Sequence, residues 1–161
     1  MGKIRVGMGY DVHQLVEGRD LWLGGIKIEH PLGLLGHSDA DVLIHTICDA
    51  ILGAANMRDI GYHFPPQKGN EFENIDSKIL LRKTIEIVAT KGYHVGNIDA
   101  TICAERPKLN PHIPSMRQTL AEVMSIDPDD ISIKATTSEH LGFTGREEGI
   151  SAYAVVLLEK D

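Results

Sequence analysis

The sequence has little cysteine, little aromatic character and no long apolar run. Only two of its 161 residues are cysteines, Cys48 and Cys103, and aromatic residues make up 5%. Two cysteines in apolar contexts indicate free thiols in a reducing compartment rather than a disulfide framework. No apolar stretch approaches the roughly 20 residues of a membrane-spanning helix. We therefore expect a protein that neither depends on disulfides nor spans a membrane.

The N-terminus and the net charge exclude further classes. Residues 1–6 lack the apolar core of a secretory signal peptide, and Val6 stands where a myristoylation motif after Gly2 requires Ser or Thr. The formal net charge is −7 at pH 7, whereas nucleic-acid binding needs a basic face. An acidic protein can still bind a small polyphosphate through bound cations and local donors. The sequence predicts a cytoplasmic protein without nucleic-acid or membrane partners.

Hydrophobic periodicity predicts one domain over residues 1–161. The predicted strands are 3–10, 21–29, 98–104, 131–135 and 149–159, and the predicted helices are 39–54, 77–91 and one opened by Pro114. Ser38 or Asp39 is the expected cap of the first helix, and Asp76 or Ser77 that of the second. Strands that alternate with helices favour an α/β sandwich, a single sheet covered by helices on one face.

A candidate metal site lies in the first third of the chain. Asp11 and His13 are two residues apart, so both side chains leave an extended strand on the same face. His45 lies in the first predicted helix. One carboxylate and two imidazoles suit a divalent transition metal, and three protein ligands leave a position for water or substrate.

Two acidic residues share the helix with His45. Asp41 and Asp49 lie one turn before and one turn after it and form a polar stripe with it. Either carboxylate could bind the second ring nitrogen of His45 and fix its tautomer. Alternatively, both lie on a solvated helix face. The sequence leaves the two interpretations open.

Several motifs along the chain occur together in one order. They are Gly-Tyr-Asp-Val-His (9–13), Gly-His-Ser-Asp-Ala-Asp (36–41), Asp-Ile-Gly (59–61), Pro-Lys (107–108), Pro-His-Ile-Pro (111–114), Lys-Ala-Thr-Thr (134–137) and Leu-Gly-Phe-Thr-Gly-Arg (141–146). In order and spacing they resemble the family of 2-C-methyl-D-erythritol 2,4-cyclodiphosphate synthases of non-mevalonate isoprenoid biosynthesis. The resemblance implies a compact α/β homotrimer with active sites at subunit interfaces.

The resemblance also implies a set of site residues. Zinc would be bound by Asp11, His13 and His45, magnesium or manganese by Glu139 together with the substrate diphosphate, and the catalytic residues would be His37 and Thr137. The implied substrate-binding residues are Asp11, Val12, His13, His37, Ser38, Asp59, Ile60, Gly61, Phe64, Pro65, Pro66, Gln67, Lys68, Ala104, Glu105, Arg106, Pro107, Lys108, Leu109, Asn110, Thr136, Thr137, Ser138, Glu139, Phe143 and Arg146.

Each of these segments also has an ordinary structural interpretation. His37 and Ser38 precede a helix N-terminus that favours an anion, although Ser38 could simply cap the helix. Asp59, the implied partner of the sugar-alcohol hydroxyls, could bond its own loop backbone. Residues 104–110, the implied cytidine pocket, read by themselves as a strand-to-helix loop. Residues 136–139 suit a diphosphate but could equally form a capping box.

The run 64–68 departs from the family pattern. The family usually has Phe-Pro-Asp-Thr-Asp here, whereas this chain has Phe-Pro-Pro-Gln-Lys. Both acidic side chains are absent, and Pro66 removes a backbone N–H. We expect the chain to be active nonetheless, with Asp59 as the main carboxylate for the erythritol hydroxyls and residues 64–68 as a cover.

The implied reaction is the conversion of 4-diphosphocytidyl-2-C-methyl-D-erythritol 2-phosphate to the 2,4-cyclodiphosphate with release of CMP. The attacking phosphate has a second pKa of about 6 and is already a dianion, so no general base is needed. Two other classes remain open. A zinc-dependent phosphoester hydrolase would need a base such as Asp41 or Asp49, and a non-catalytic module would bind an isoprenoid phosphate in a central cavity with Arg146 at its mouth.

Overall fold

The computed structural model describes residues 2–65 and 75–161. In that part, the strands are β1 (Lys3–Val16), β2 (Leu21–Leu23), β3 (Ile26–Ile28), β4 (Gly33–Leu34), β5 (His94–Cys103), β6 (Ile131–Thr136) and β7 (Gly149–Lys160). The helices are α1 (Val42–Ala54), α2 (Ile60–His63), α3 (Ser77–Ala89), α4 (Ile113–Met124) and α5 (Gly142–Gly145). None of the helices described here has the length and apolarity to cross a membrane.

The strands form one mixed five-stranded sheet and a separate hairpin. The sheet order is β4-β1-β7-β5-β6, with β5 and β6 parallel and the other pairs antiparallel. β2 and β3 pair only with each other, so the expectation of a single sheet was wrong. Gly24 and Gly25 join them with φ values of +63° and +79°, as a tight two-residue hairpin turn requires.

Two glycines of β1 let the first helix lie directly on the sheet. A Cβ added at Gly7 would lie 2.0 Å from the carbonyl oxygen of Ala50, and a Cβ added at Gly9 would lie 2.1 Å from the carbonyl oxygen of Thr46. The odd-numbered residues of β1 therefore face α1. Asp11 and His13 belong to this set, so the strand directs both side chains toward the helix that carries His45.

The opposite face of the sheet is apolar and exposed. Among the described residues, the helices pack on the α1 side of the sheet, as predicted. On the outer face, Val6 and Met8 are each 66% exposed. Its other large apolar side chains on β1 and β7 are Ile4, Tyr10, Val12, Tyr153 and Val155. Single exposed apolar residues are common, but a continuous apolar sheet face marks an interaction surface.

The main differences from the predicted elements concern β1 and α1. β1 continues to Val16 rather than ending at residue 10, because Asp11–Gln14 pair in register with 149–152 of β7. α1 begins at Val42 rather than residue 39, and its cap is Asp41 rather than Ser38 or Asp39. The Asp41 carboxylate accepts hydrogen bonds from the N–H of Ile44, Gly24 and Gly25. A fully buried capping aspartate thus joins α1 to the β2–β3 turn.

Candidate metal centre and substrate site

β1 and α1 bring three ligand atoms together. Oδ2 of Asp11 lies 3.0 Å from Nε2 of His13 and 3.4 Å from Nδ1 of His45. The two histidine nitrogens lie 3.2 Å apart. A tetrahedral ion with bonds of about 2.0–2.1 Å would hold its ligand atoms about 3.3 Å apart. The donor set therefore fits a divalent metal, and it is the cluster that the described residues offer for one.

The hydrogen bonds of the two histidines select complementary tautomers. Nδ1 of His13 lies 2.8 Å from the carbonyl oxygen of Leu35, so this nitrogen carries the proton and Nε2 keeps its lone pair. Nε2 of His45 lies 3.1 Å from Oγ of Ser38 and 3.0 Å from Oγ of Ser77. Donation from Nε2 leaves the lone pair on Nδ1. When both rings are neutral, the two free lone pairs face Asp11, as metal ligation requires.

The electrostatics of the triad favour a charged aspartate. Burial raises the pKa of Asp11, but without a metal the protonated rings of His13 and His45 donate hydrogen bonds to it, and these outweigh burial and lower its pKa below the usual range. Burial lowers the pKa of His13, but the hydrogen bond and attraction from Asp11 give a net increase. The carboxylate is thus ionised at neutral pH and ready to bind a cation.

In the described part of the chain, no hydrogen bond joins Asp41 or Asp49 to the ring of His45, so of the two interpretations left open, the one that had them bind its second nitrogen is wrong. Asp41 is fully buried as the cap of α1, and Oδ1 of Asp49 accepts a hydrogen bond of 2.9 Å from Ile60 N–H. Nε2 of His45 is instead hydrogen-bonded to the hydroxyls of Ser38 and Ser77. His45 is itself only 7% exposed, whereas its position in a polar stripe favoured the helix surface.

The segments predicted to bind the erythritol phosphate lie around the metal triad. Ser38 is buried against His45, whereas His37 is exposed. Asp59 is exposed and caps α2 by accepting a 3.0 Å hydrogen bond from Tyr62 N–H. The bond from Ile60 to Asp49 ties this loop to α1 one turn beyond His45. Gly61 is exposed and Phe64 and Pro65 are half-buried, while residues 66–68 lie outside the described residues.

The segments predicted to bind the nucleotide form a second group. The N–H of Ala104 donates to the carbonyl of Thr136 at 3.0 Å, which joins residues 104–110 to residues 136–139. Oε1 of Glu105 pairs with Nδ1 of His140 at 2.8 Å. The side chains exposed in this group are Arg106, Lys108, Asn110, Thr136, Thr137 and Glu139, and the partly or fully buried ones are Ala104, Glu105, Pro107, Leu109 and Ser138.

Phe143 and Arg146 lie at the end of the outer sheet face. Phe143 lines an open cavity of about 570 Å³ together with residues 12–14 and 148–149. Arg146 donates to both carboxylate oxygens of Glu148, at 3.0 and 3.3 Å. Val12 contributes to this cavity because its side chain points away from Asp11 and α1.

The metal group (Asp11, His13 and His45) and the nucleotide group (residues 104–110 and 136–139) lie apart within one chain. Residues 104–110 follow β5, two strands away from β1, and residues 136–139 follow β6, three strands away. At about 4.8 Å per strand spacing, these separations amount to roughly 10 and 14 Å. Both groups lie at the same end of the sheet, because Val12 pairs with Ser151 and Ser151 pairs with Cys103.

Sequence reasoning missed that Ser77 contacts His45 and that Asp39 binds Ser77. Ser77 is 32 residues from His45 in the sequence, and Asp39 lies before the first residue of α1. A serine at the start of a helix is ordinarily explained as a cap. No local pattern connects Ser77 to His45. Only the docking of α3 beside α1 brings them together.

Fold and site together define a single-domain α/β protein with a candidate metal centre of two histidines and one aspartate at the end of its sheet. The YgbB family model matches residues 4–159. The chain therefore belongs to the YgbB family.

Curated relatives and solved structures of similar proteins agree with this family. A 2-C-methyl-D-erythritol 2,4-cyclodiphosphate synthase of Bacteroides thetaiotaomicron is 78% identical over 159 residues, 99% of each chain. One of Cytophaga hutchinsonii is 60% identical over 98% of this chain and 99% of its own. Among solved structures, the bifunctional IspDF of Campylobacter jejuni matches with a TM-score of 0.95 at 40% identity, over 100% of this chain and 43% of that one. IspF of Plasmodium falciparum in complex with CDP matches at 0.86 and 36% identity, over 100% and 99%.

Proposed function

We propose that this chain converts 4-diphosphocytidyl-2-C-methyl-D-erythritol 2-phosphate to 2-C-methyl-D-erythritol 2,4-cyclodiphosphate and CMP. The observation that carries the proposal is the geometry of Asp11, His13 and His45, whose donor atoms lie 3.0–3.4 Å apart in a chain of the YgbB family. Relatives that share up to 78% of its residues bear the name of this synthase, and a structural neighbour binds CDP.

The reaction needs placement and charge neutralisation more than proton transfer. The 2-phosphate is already a dianion near neutral pH, so its oxygen can attack the β-phosphorus in line once the substrate is folded. Asp11, His13 and His45 would hold zinc, and Glu139 with the substrate phosphates would hold magnesium or manganese, a ligand set that suits Mg²⁺. These ions supply Lewis-acid stabilisation of phosphate charge when bound.

The chain's own residues then bind and orient the two ends of the substrate. His37 and Ser38, beside the metal triad, would bind the erythritol-borne phosphate, and the exposed Asp59 carboxylate would accept from its hydroxyls. Residues 104–110, with Lys108, would form the cytidine pocket. Thr136 and Thr137 would donate to diphosphate oxygens, where hydrogen bonds directed at growing charge stabilise the transition state.

We propose that the active protein is a homotrimer with active sites at subunit interfaces. The apolar outer face of β1 and β7 supports assembly, because side chains such as Val6 and Met8 would otherwise stay in water. The separation of roughly 10–14 Å between the metal group and the nucleotide group supports shared sites, since a neighbouring copy could bring its nucleotide group beside this copy's metal group.

Phosphorus NMR of the product tests the reaction. Purified protein with zinc and magnesium should convert the cytidyl substrate to a cyclic diphosphate, with one CMP released per ring closed. A zinc hydrolase would instead release inorganic phosphate or an opened product. Asp41 is not available as its base, because its carboxylate already accepts three backbone hydrogen bonds.

The cavity at Phe143 supports a second ligand. It opens on the outer sheet face, and the guanidinium of Arg146 lies near it, bound by Glu148. An apolar chain that ends in a phosphate, such as an isoprenoid phosphate, would suit such a cavity in the assembled protein. Calorimetric titration with geranyl diphosphate tests this, with Phe143→Ala as the variant expected to lose the heat of binding.

A further inference from the structure

We propose that Ser77, held in place by Asp39, is a positioning residue for the metal ligand His45. This inference rests on the proposed metal centre, and it concerns two residues that the sequence suggested only as helix caps and to which the proposed reaction gives no role. Ser77 is the first residue of α3, and its side chain is fully buried.

The first step is the contact between Ser77 and the imidazole. Oγ of Ser77 lies 3.0 Å from Nε2 of His45, on the side of the ring opposite the metal-facing nitrogen. Oγ of Ser38 lies 3.1 Å from the same nitrogen, but it also accepts a hydrogen bond from Ala40 N–H. Two hydroxyl oxygens thus surround Nε2, and an N–H at this nitrogen satisfies both.

The second step is the direction of the hydrogen bonds. The hydroxyl of Ser77 donates to Oδ1 of Asp39, and the N–H of Ser77 donates to Oδ2 at 2.9 Å. Oδ1 also accepts from Asp41 N–H at 3.0 Å. An ionised carboxylate can only accept hydrogen bonds, and Asp39 faces three donors. The proton in its hydrogen bond with the Ser77 hydroxyl therefore belongs to Ser77. The lone pairs of Ser77 are therefore left to accept from His45.

The chain of donation runs one way, from His45 to Ser77 to Asp39. It places the ring proton of His45 on Nε2 and leaves the lone pair on Nδ1, which lies 3.4 Å from Oδ2 of Asp11 and 3.2 Å from Nε2 of His13. Groups that orient a ligating histidine through its second nitrogen commonly change metal affinity 10–100-fold when they are removed.

The third step is the anchoring of Ser77 itself. Asp39 N–H donates to the carbonyl of Ile75 at 3.2 Å, while its carboxylate takes both donors of Ser77. The start of α3 is therefore attached to the turn before α1 by three hydrogen bonds. The position of the Ser77 hydroxyl is fixed by this attachment rather than by the His45 contact alone.

The test is a comparison of zinc affinities by competition with a chromophoric chelator. Ser77→Ala should weaken zinc binding at least tenfold, and Asp39→Asn should weaken it too, because an amide cannot accept from every donor that faces Asp39. The control is Thr84→Val, which removes another fully buried hydroxyl of α3, two turns further along the helix, at nearly constant volume. It should bind zinc within twofold of the parent chain.

A second measurement reads the tautomer directly. In the zinc-loaded parent protein, nitrogen-15 NMR of the ring of His45 should show the proton on Nε2, and in Ser77→Ala this proton should exchange with water faster because one of its two acceptors is gone. Folded Ser77→Ala that binds zinc as tightly as the parent overturns the proposal, as does an equal loss in Thr84→Val. If the parent chain binds no zinc, the proposed metal centre itself is wrong. Asp39→Asn decides the question if Ser77→Ala does not fold.

Discussion

Oδ2 of Asp11 lies 3.4 Å from Nδ1 of His45, although one residue belongs to a strand and the other to a helix. The approach depends on two glycines of β1, because any side chain at Gly7 or Gly9 would meet the backbone of α1. The metal centre and the contact between strand and helix are therefore one feature of the fold.

Replacing His45 should remove the metal. We expect about one zinc per chain in the parent protein and almost none in His45→Gln, together with a loss of nearly all turnover. Because His45 is buried, Gln is preferable to Ala, which would leave a cavity. Metal analysis and circular dichroism measure the two properties, and His94→Gln, at a half-exposed histidine paired with Glu159, serves as the control. Full activity of a zinc-free His45→Gln protein would contradict the assignment.

Adding a methyl group at Gly9 should weaken both stability and metal binding. Its Cβ would lie 2.1 Å from the carbonyl oxygen of Thr46, so α1 must move and carry His45 away from Asp11. We expect Gly9→Ala to lower the free energy of unfolding by about 1–3 kcal/mol. Gly53 lies in α1 with open space around an added Cβ. Gly53→Ala should therefore raise the free energy of unfolding by about 0.5–1 kcal/mol. Urea unfolding and zinc titration compare the two, and equal effects would contradict the prediction.

Mixing two inactive variants should restore activity if sites form between subunits. His13→Ala lacks one ligand of the metal group, and Thr137→Ala lacks one donor of the nucleotide group. In a mixed trimer, some interfaces therefore combine an intact metal group with an intact nucleotide group. Partial activity is expected once subunits exchange, which mass spectrometry of isotope-labelled chains can verify. Sites built within one chain would give no rescue despite proven exchange.

Asp59 and Lys68 should differ in their effects on catalysis. Asp59→Ala should lower kcat/KM strongly, whereas Lys68→Ala should raise KM less than about tenfold, with a smaller rise in added salt. Asp59 also caps α2 through Tyr62 N–H, and Asp59→Asn keeps that cap, so it separates helix capping from substrate binding. A nearly silent Asp59→Ala beside a crippled Lys68→Ala would mean that the two roles are reversed.

The stability contribution of Asp49 should fall as the pH rises. Burial, with repulsion from Asp59 and Asp11, raises the pKa of Asp49 to about 6 in spite of the hydrogen bond from Ile60. Between its ordinary value and about 6, the unfolded chain loses this proton before the folded chain does, so stability decreases over that range and the penalty persists above it. In metal-free protein, Asp49→Asn should gain about 1 kcal/mol at pH 7, after allowance for solvent screening, and little at pH 4. A gain for Asp49→Asn that is the same at both pH values would contradict the assignment.

The parts of the fold that follow from local pattern were predictable. The metal ligands Asp11 and His13 share a face because strand residues alternate, and α3 lies where its cap at Asp76 and the left-handed Gly92 indicate. Elements whose hydrophobic period is clear, such as β5 and β7, were found with their ends shifted by a few residues.

The parts that depend on tertiary packing were not predictable. Asp41 caps α1 and also binds the β2–β3 turn, a contact that no spacing in the sequence announces. The burial of His45 results from α3 lying over α1, which also brings Ser77 to its ring. Asp49 looked like a surface residue of the helix, yet it holds the backbone of the following loop at Ile60.

Alternate residues of strand β1 contribute to two different surfaces of the protein. Asp11 and His13 point toward α1 and the metal centre, while Val6, Met8 and Tyr10 form the outer surface that we propose for subunit contact. Inserting or deleting a single residue in the middle of the strand would exchange the two faces on one side of the change. Evolution can therefore vary this strand by substitution but hardly by length, because each frame shift would place apolar side chains at the metal and charged ones between subunits.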